Sequence, residues 1–175
     1  MVTNVKEEGL EDIIVEYLVE NNGYELGNTE DYNLDFAVDE GRLIRFLEST
    51  QPEQVELLGI RESEHRKKKF FDRLSKEITK RGIIDVLRNG IRVYPADLIM
   101  FYLTPSDMNF ESQKNFNKNI FSVTRQLQYS KSNRRLALDL AIFINGLPVI
   151  TMELKNTLTN QNYKDAIYQY KNDRD

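Results

Sequence analysis

The chain has 175 residues and a formal net charge of −4 at pH 7, so it is long enough for one domain with its own hydrophobic core. It contains no cysteine, which excludes disulfides, thiolate metal sites and cysteine nucleophiles. The N-terminal residues do not resemble a secretory signal, and no apolar run approaches membrane-spanning length. We therefore expect a cytoplasmic protein without membrane attachment.

Acidic and basic residues are distributed unevenly along the chain. Residues 1–60 contain 15 acids and 3 bases, whereas residues 61–175 contain 13 acids and 21 bases. No acid occurs between Glu111 and Asp139, where the charged residues are Lys114, Lys118, Arg125, Lys131, Arg134 and Arg135. This basic segment is interpreted either as a surface that follows DNA phosphates or as a solvated loop, and the sequence leaves both interpretations open.

The first predicted element is a helix over residues 7–21, which is expected to end at Asn22-Gly23. Its apolar side chains have helical spacing, at Leu10, Ile13, Ile14, Tyr17 and Leu18. Glu11 lies beside this stripe, and most of the remaining helix surface is acidic. Residues 23–39 are polar and rich in turn-forming residues, and they are interpreted as a loop.

Three further helices are predicted before residue 90. Asp39 is expected to cap a helix that contains Leu43 to Leu47. Pro52 is expected to begin a short helix that reaches Leu58. A longer helix is predicted from Arg61 to Arg81, ended by Gly82.

The second half of the chain is predicted to contain the sheet. Residues 91–103 are typical of one or two strands interrupted at Pro95. Residues 119–129 alternate between apolar and polar side chains, so a strand is predicted, with Arg125 on the same face as Val123 and Leu127. Residues 160–173 have helical spacing.

Two apolar, β-rich runs meet at Asn145-Gly146, the strongest local signal for a β-hairpin. The first run contains one acid, Asp139, and the second ends in Glu153 and Lys155. Carboxylates inside apolar strands are costly unless a positive group accompanies them. Lys155 and a bound divalent cation are the two candidates for that group.

The length of the turn decides whether the two acids meet. A two-residue turn pairs Asp139 with Met152 and places Glu153 on the opposite face, whereas a three-residue turn sets Asp139 directly across from Glu153. Pro148 cannot donate to a strand ladder and is typical of edges and bulges. We therefore predict either a loop longer than two residues or a bulge that restores the pairing of the two acids.

The segment from Asp139 to Asn156 resembles the signature of PD-(D/E)xK nucleases, in which an acid, a β-turn and Glu-x-Lys follow one another. More closely, its sequence D-L-A-I-F-I-N-G-L-P-V-I-T-M-E-L-K-N is similar to the nuclease domain of the R (restriction) subunit of type I restriction-modification enzymes. The resemblance extends upstream to Thr50–Pro52, Asp85–Ile91 and Phe121–Tyr129. It implies an α/β (α+β) fold with a mixed sheet flanked by helices, from which the last core strand is missing. Residues 1–175 would then form a single nuclease domain, the N-terminal fragment of a longer protein with a downstream ATP-dependent translocase.

The same resemblance implies the residues of a Mg²⁺-dependent DNA endonuclease. Asp139, Glu153 and the carbonyl of Leu154 would hold the metal, with Glu11 as an outer contributor, and Lys155 would orient or deprotonate the attacking water. Gln169 fits the first half of a Gln-x-x-x-Tyr element, although Asp173 stands where the tyrosine would be. Contacts with double-stranded DNA are assigned to Arg125, Gln126, Lys131, Arg134 and Arg135. For Arg125 the alternative is a structural charge paired with a nearby acid, and the sequence leaves both open.

The implied partners are the modification (M) and specificity (S) subunits of the type I complex, and ATP would bind the full-length protein but not this fragment. The alternative function is a non-catalytic DNA-binding or subunit-docking module, in which the acids and Lys155 form a structural ion pair. The intact set of Asp139, Glu153 and Lys155 favours the nuclease, because a module that does not cleave has no physical need for two facing carboxylates.

Overall fold

The computed structural model describes residues 7–104, 110–133, 135–155 and 163–172. The helices are α1 (Glu7–Asn22), α2 (Glu40–Thr50), α3 (Pro52–Leu58), α4 (Glu64–Arg81), α5 (Ile83–Asn89), α6 (Phe110–Phe116) and α7 (Tyr163–Asn172). The strands are β1 (Glu25–Gly27), β2 (Tyr32–Asn33), β3 (Val38–Asp39), β4 (Ile91–Val93), β5 (Ala96–Leu98), β6 (Phe121–Gln128), β7 (Ala137–Ile144) and β8 (Leu147–Met152). Across these ranges, no helix is both long enough and apolar enough to span a bilayer.

The main sheet has four strands in the order β1-β6-β7-β8. β1 runs parallel to β6, and the other neighbours are antiparallel. This mixed sheet with helices around it confirms the expected fold class. Within the described ranges β8 is an edge strand, with β7 on one side and no strand on the other.

The predicted helices are confirmed, and their local signals act as expected. The Asp39 carboxylate accepts a hydrogen bond from the Arg42 backbone N–H at 2.9 Å and caps α2. Pro52 occupies the first turn of α3. α4 ends at Gly82, although it begins at Glu64, three residues later than predicted. The largest hydrophobic cluster lies among α2 to α5 and the β4–β5 ribbon, and it includes Leu147 from the hairpin.

One prediction about the first forty residues was wrong, and the orientation of α1 was not predicted. Residues 23–39 are not simply a loop, because β1 joins the main sheet and β2 pairs with β3. The apolar stripe of α1 does not face the sheet as a unit, since Leu10, Ile13 and Tyr17 are 45%, 56% and 61% exposed. The helix is rotated so that Glu11 and Val15 are buried instead. The spacing of the apolar residues identified the helix but not the face of it that is buried. Hydrophobic spacing does not count a carboxylate as a buried position, even when partners from distant parts of the chain allow it to be buried.

The β7–β8 hairpin has a two-residue turn followed by a bulge. Asn145 and Gly146 have φ angles of 51° and 80°, as the tight turn requires, and Ile144 pairs with Leu147. Phe143 then pairs with Pro148 while Ile142 pairs with Ile150, so Val149 is an extra residue on β8. Leu140 consequently pairs with Met152, and continuing this register sets Asp139 across from Glu153. Of the two predicted alternatives, the bulge is confirmed and the longer loop is not needed.

The turn of this hairpin is buried. The Asn145 side-chain Oδ1 accepts from the Ile120 N–H at 2.6 Å, and its Nδ2 donates to the Met100 carbonyl at 2.9 Å. The Gly146 carbonyl accepts from the Asp39 N–H at 2.8 Å. The turn is therefore attached to β6, to the end of the β4–β5 ribbon and to the start of α2.

Candidate active site

Asp139 lies near the open end of the hairpin, away from the turn. Its Oδ2 accepts a hydrogen bond from the backbone N–H of Leu154 at 2.6 Å. Leu154 is the middle residue of the Glu-x-Lys segment, which follows directly after β8. The aspartate on β7 is thus in contact with the segment that contains the other two predicted catalytic residues.

Glu153 and Lys155 form a nearly buried pair beside this contact. Their side chains are 4% and 14% exposed, and the Lys155 Nζ lies 3.5 Å from the Glu153 Oε1. The lysine is therefore held close to a carboxylate with little access to water. The pair provides one positive and one negative group at the end of β8.

Gln126 has an unusual backbone conformation within β6. Its φ is +47°, in the left-handed region that non-glycine residues seldom occupy. Arg125 pairs with Leu140 and Leu127 pairs with Leu138, which leaves Gln126 opposite Asp139. The left-handed residue interrupts the usual alternation of side chains along the strand.

Because of this interruption, the side chains at the end of β6 lie on a different face of the sheet from the one that regular alternation predicts. Val123 packs in a cluster with Val15 of α1, whereas Leu127 packs in a different cluster, with Phe143. The prediction that Arg125 shares a face with Val123 is consistent with its contact to α1, but the prediction that Leu127 shares that face was wrong. The reason is the left-handed Gln126, which lets two consecutive side chains, Arg125 and Gln126, both reach α1.

Glu11 of α1 is the carboxylate that both side chains reach. It is 5% exposed, and it accepts from Arg125 Nε at 2.7 Å and from Gln126 Nε2 at 3.0 Å. Hydrogen bonding to Glu11 raises the pKa of Arg125, although burial opposes this, so the guanidinium remains positive. Arg125 also contacts Asp12 at 2.7 Å. Glu11 is therefore neutralised locally by Arg125, and sequence reasoning did not identify Asp12 as the second acid on this arginine.

The Gln126 amide connects Glu11 to the aspartate. Its Nε2 lies 3.5 Å from the Asp139 Oδ1, besides its bond to Glu11. A continuous series of contacts therefore runs from Glu11 through Gln126 and Asp139 to Leu154. The structure brings these four predicted site residues together from α1, β6, β7 and the segment after β8.

The chemistry of these donors fits a hard divalent cation, because carboxylate and carbonyl oxygens are the ligands that Mg²⁺ prefers. In the ranges given above, however, no three His, Cys, Asp or Glu side chains are arranged to hold a metal ion. The acids have protein donors instead, since Glu11 accepts from Arg125 and Gln126, and Asp139 accepts from Leu154.

Comparison with known proteins identifies the family. Residues 4–175 match the family described as the type I restriction enzyme R protein N terminus. The chain belongs to this family.

Two curated relatives carry names that agree with this assignment. The putative type I restriction enzyme MjaVIIIP endonuclease subunit of Methanocaldococcus jannaschii is 28% identical over 121 residues, which cover 67% of this chain and 12% of that protein. The putative type I restriction enzyme MjaIXP endonuclease subunit of the same organism is 39% identical over 61 residues, or 33% of this chain and 6% of that protein. This R protein N-terminal chain thus spans only a small part of the relatives it matches. No solved structure matches it.

The remaining predicted site residues are not part of the series of contacts that runs from Glu11 to Leu154. Lys131 is exposed, and its Nζ lies 2.5 Å from the Asp35 Oδ1. This hydrogen bond lowers the pKa of Asp35. Arg135 is exposed at the turn before β7. Arg134 lies outside the described residues. Gln169 lies on α7, but its side chain is outside what the structure describes.

Proposed function

We propose that this chain is the Mg²⁺-dependent DNA endonuclease domain of a type I restriction enzyme R subunit, which hydrolyses phosphodiester bonds in double-stranded DNA. The observation that carries the proposal is the bulge at Val149. It pairs Leu140 with Met152, so that Asp139 and Glu153 are the next residues in this register, and Asp139 accepts a hydrogen bond from Leu154, inside the Glu-x-Lys segment. Family membership and the names of the relatives support a nuclease role.

In this proposal the metal is held by Asp139, Glu153 and the carbonyl of Leu154. Bound Mg²⁺ supplies a water of lowered pKa and offsets the negative charge of the scissile phosphate. The role of Lys155 is to orient that water or accept its proton and to stabilise charge on the phosphate. Its position 3.5 Å from Glu153, one of the proposed metal ligands, supports this role.

The DNA backbone would approach from the basic segment that leads into β7. Lys131, Arg134 and Arg135 are the predicted phosphate contacts, and Arg125 is a further one. Because Arg125 already pairs with Glu11 and Asp12, its contact with DNA would have to share the guanidinium with these acids. Gln169 on α7 remains a predicted contributor to the same site.

The remaining parts of the proposal concern the whole protein. The relatives are about eight and seventeen times as long as the matched segments, as their matched shares of 12% and 6% imply. We propose a downstream ATP-dependent translocase, a cytoplasmic complex with modification and specificity subunits, and target selection by that complex rather than by this domain.

The test of the proposed function is DNA cleavage by the full-length protein assembled with its partner subunits. We expect plasmid cleavage that requires Mg²⁺ and ATP and that falls at least a hundredfold in Lys155→Ala, because a group that acts on the attacking water is lost. The matched control is Lys76→Ala, which removes an exposed lysine from α4 and should cleave normally.

Cleavage by Lys155→Ala at the rate of the control would contradict the proposed role. Absence of cleavage by the wild-type complex, with normal DNA binding and ATP hydrolysis, would instead favour the non-catalytic module.

A further inference from the structure

The left-handed backbone of Gln126 has a specific consequence for its side chain. A residue with ordinary strand angles at this position would leave only one of two consecutive side chains on the α1 side. Here both Arg125 and Gln126 contact Glu11, at 2.7 and 3.0 Å. Strained backbone of this kind persists only where surrounding contacts hold it, and it is concentrated at functional sites. Gln126 is an exposed residue, and the contacts of its side chain with Glu11 and Asp139 are polar.

The side-chain amide occupies the space between two carboxylates from different elements. Its Nε2 lies 3.0 Å from the Glu11 Oε2 and 3.5 Å from the Asp139 Oδ1. Two carboxylates that share one donor group repel each other, and only a positive or partly positive group between them lowers that cost. Arg125 offsets Glu11 from its other oxygen, but it makes no such contact with Asp139. The amide N–H₂ therefore provides the positive end of a dipole where a cation would provide a full charge.

We infer that Gln126 is a positioning residue that holds Glu11 and Asp139 together before metal binding and competes with a divalent cation for them. This inference rests on the proposed function and deepens it, because it says what the metal must displace. When the cation binds, the amide leaves the two oxygens. Asp139 keeps its hydrogen bond from Leu154, which does not involve the glutamine. Gln126 thus keeps the site assembled without metal and lowers the affinity for it.

Two substitutions separate the side chain from the strained backbone. Gln126→Ala removes the amide but keeps a Cβ at φ +47°, whereas Gln126→Gly removes the amide and also relieves the strain. Both should bind Mn²⁺, used as the probe, about three- to tenfold more tightly than wild type, because a hydrogen bond to a charged group no longer competes. The matched control is Gln128→Ala, on the same strand with an exposed side chain.

Mn²⁺ binding is measured on the full-length protein without nucleotide, by electron paramagnetic resonance of the free ion, with Asp139→Asn as the reference that lacks the site. The second readout is the melting temperature with and without Mn²⁺. In both Gln126 variants we expect a larger increase on adding the ion than in wild type. Without the ion, we expect a lower melting temperature in Gln126→Ala and partial recovery in Gln126→Gly.

The outcomes distinguish this inference from the proposed function. Unchanged or weaker Mn²⁺ binding in both Gln126 variants overturns the inference, since a merely structural residue leaves the affinity alone and a metal ligand lowers it when removed. If Asp139→Asn binds Mn²⁺ as wild type does, the metal site of the proposed function itself fails.

Discussion

The two ends of the β7–β8 hairpin are built in different ways. At the turn, Asn145 and Gly146 are buried, and their polar groups make short hydrogen bonds to the backbone of Ile120, Met100 and Asp39. At the open end, the carboxylates of Asp139 and Glu11 are held by a shared side-chain amide, and Glu153 lies 3.5 Å from a lysine. The backbone partners of the turn cannot move away, and neither can the Leu154 N–H at the open end, whereas the Gln126 side chain can leave the acids there.

This difference shows how one hairpin can be both rigid and reactive. The turn fixes the position and register of the two strands, and the bulge at Val149 transfers that register to the open end. The acids are then positioned by the backbone and satisfied by groups that a ligand can replace. Substitutions at the turn should therefore change stability, and substitutions at the open end should change function.

The largest effect on stability is expected for Gly146→Ala. A Cβ at this position would lie 2.3 Å from the Asp39 carbonyl oxygen and 2.7 Å from the Leu43 N, and the φ of +80° is strained for any L side chain. We expect a loss of about 3 kcal/mol in the free energy of unfolding, from overpacking and backbone strain together. The loss is measured by urea denaturation.

Gly23→Ala is the control for this experiment. Its φ of +68° is also positive, but a Cβ there meets no atom within 4 Å, so only the strain of about 1 kcal/mol should appear. Equal losses in the two variants would show that the turn is not packed as tightly as described.

A smaller change in stability and a larger change in function are expected for Asp139→Asn. Asparagine keeps an oxygen that can accept from the Leu154 N–H, so the free energy of unfolding should fall by about 1 kcal/mol or less. DNA cleavage by the assembled full-length protein should be lost, because a metal-binding charge is removed. A loss of stability as large as that of Gly146→Ala would mean that both ends of the hairpin are structural.

The smallest effect on stability is expected from the ion pairs that surround the turn end of the hairpin, and it depends on pH. Burial raises the pKa of Glu25, but hydrogen bonds from Arg45 and Arg42 outweigh it, so this pKa lies below its ordinary value of 4.5. Its contribution to stability is therefore complete above about pH 4.5 and is lost as the pH falls through the lowered pKa. Arg42 also pairs with Asp39, whose N–H bonds the Gly146 carbonyl.

Glu25→Gln should consequently reduce stability at pH 7 by well under 1 kcal/mol, since the side chain is 41% exposed, and by less still at pH 3. Melting temperatures at the two pH values test this. A variant whose deficit grows on acidification would contradict the sign of the shift.

The hairpin could be predicted from the sequence because its signals are local. Asn145-Gly146 specifies the turn by itself, and counting residues from the turn to the acids shows that a bulge or a longer loop is needed. The helix caps at Asp39 and Gly82 are equally local. These features depend on neighbours within a few positions of the chain.

The arrangement around Glu11 could not be predicted in the same way. Gln126 reaches Glu11 across 115 positions of the chain, and its left-handed backbone has no sequence signal comparable to that of a glycine. The rotation of α1 depends on the same contacts, because burial of Glu11 is possible only with Arg125 beside it. β1 was missed since three residues that include a glutamate and a glycine carry no strand pattern.

The bulge at Val149 also means that the pairing of β8 matters as much as the identity of its residues. Regular pairing of the same residues, without the bulge, would exchange the two surfaces of everything that follows it, so that Met152 would stand where Glu153 stands now. Every acid and the lysine would still occur in the same order, and a comparison of sequences by motif would still find them. A relative of this domain can therefore lose the arrangement of these side chains by losing the bulge alone, with its signature intact.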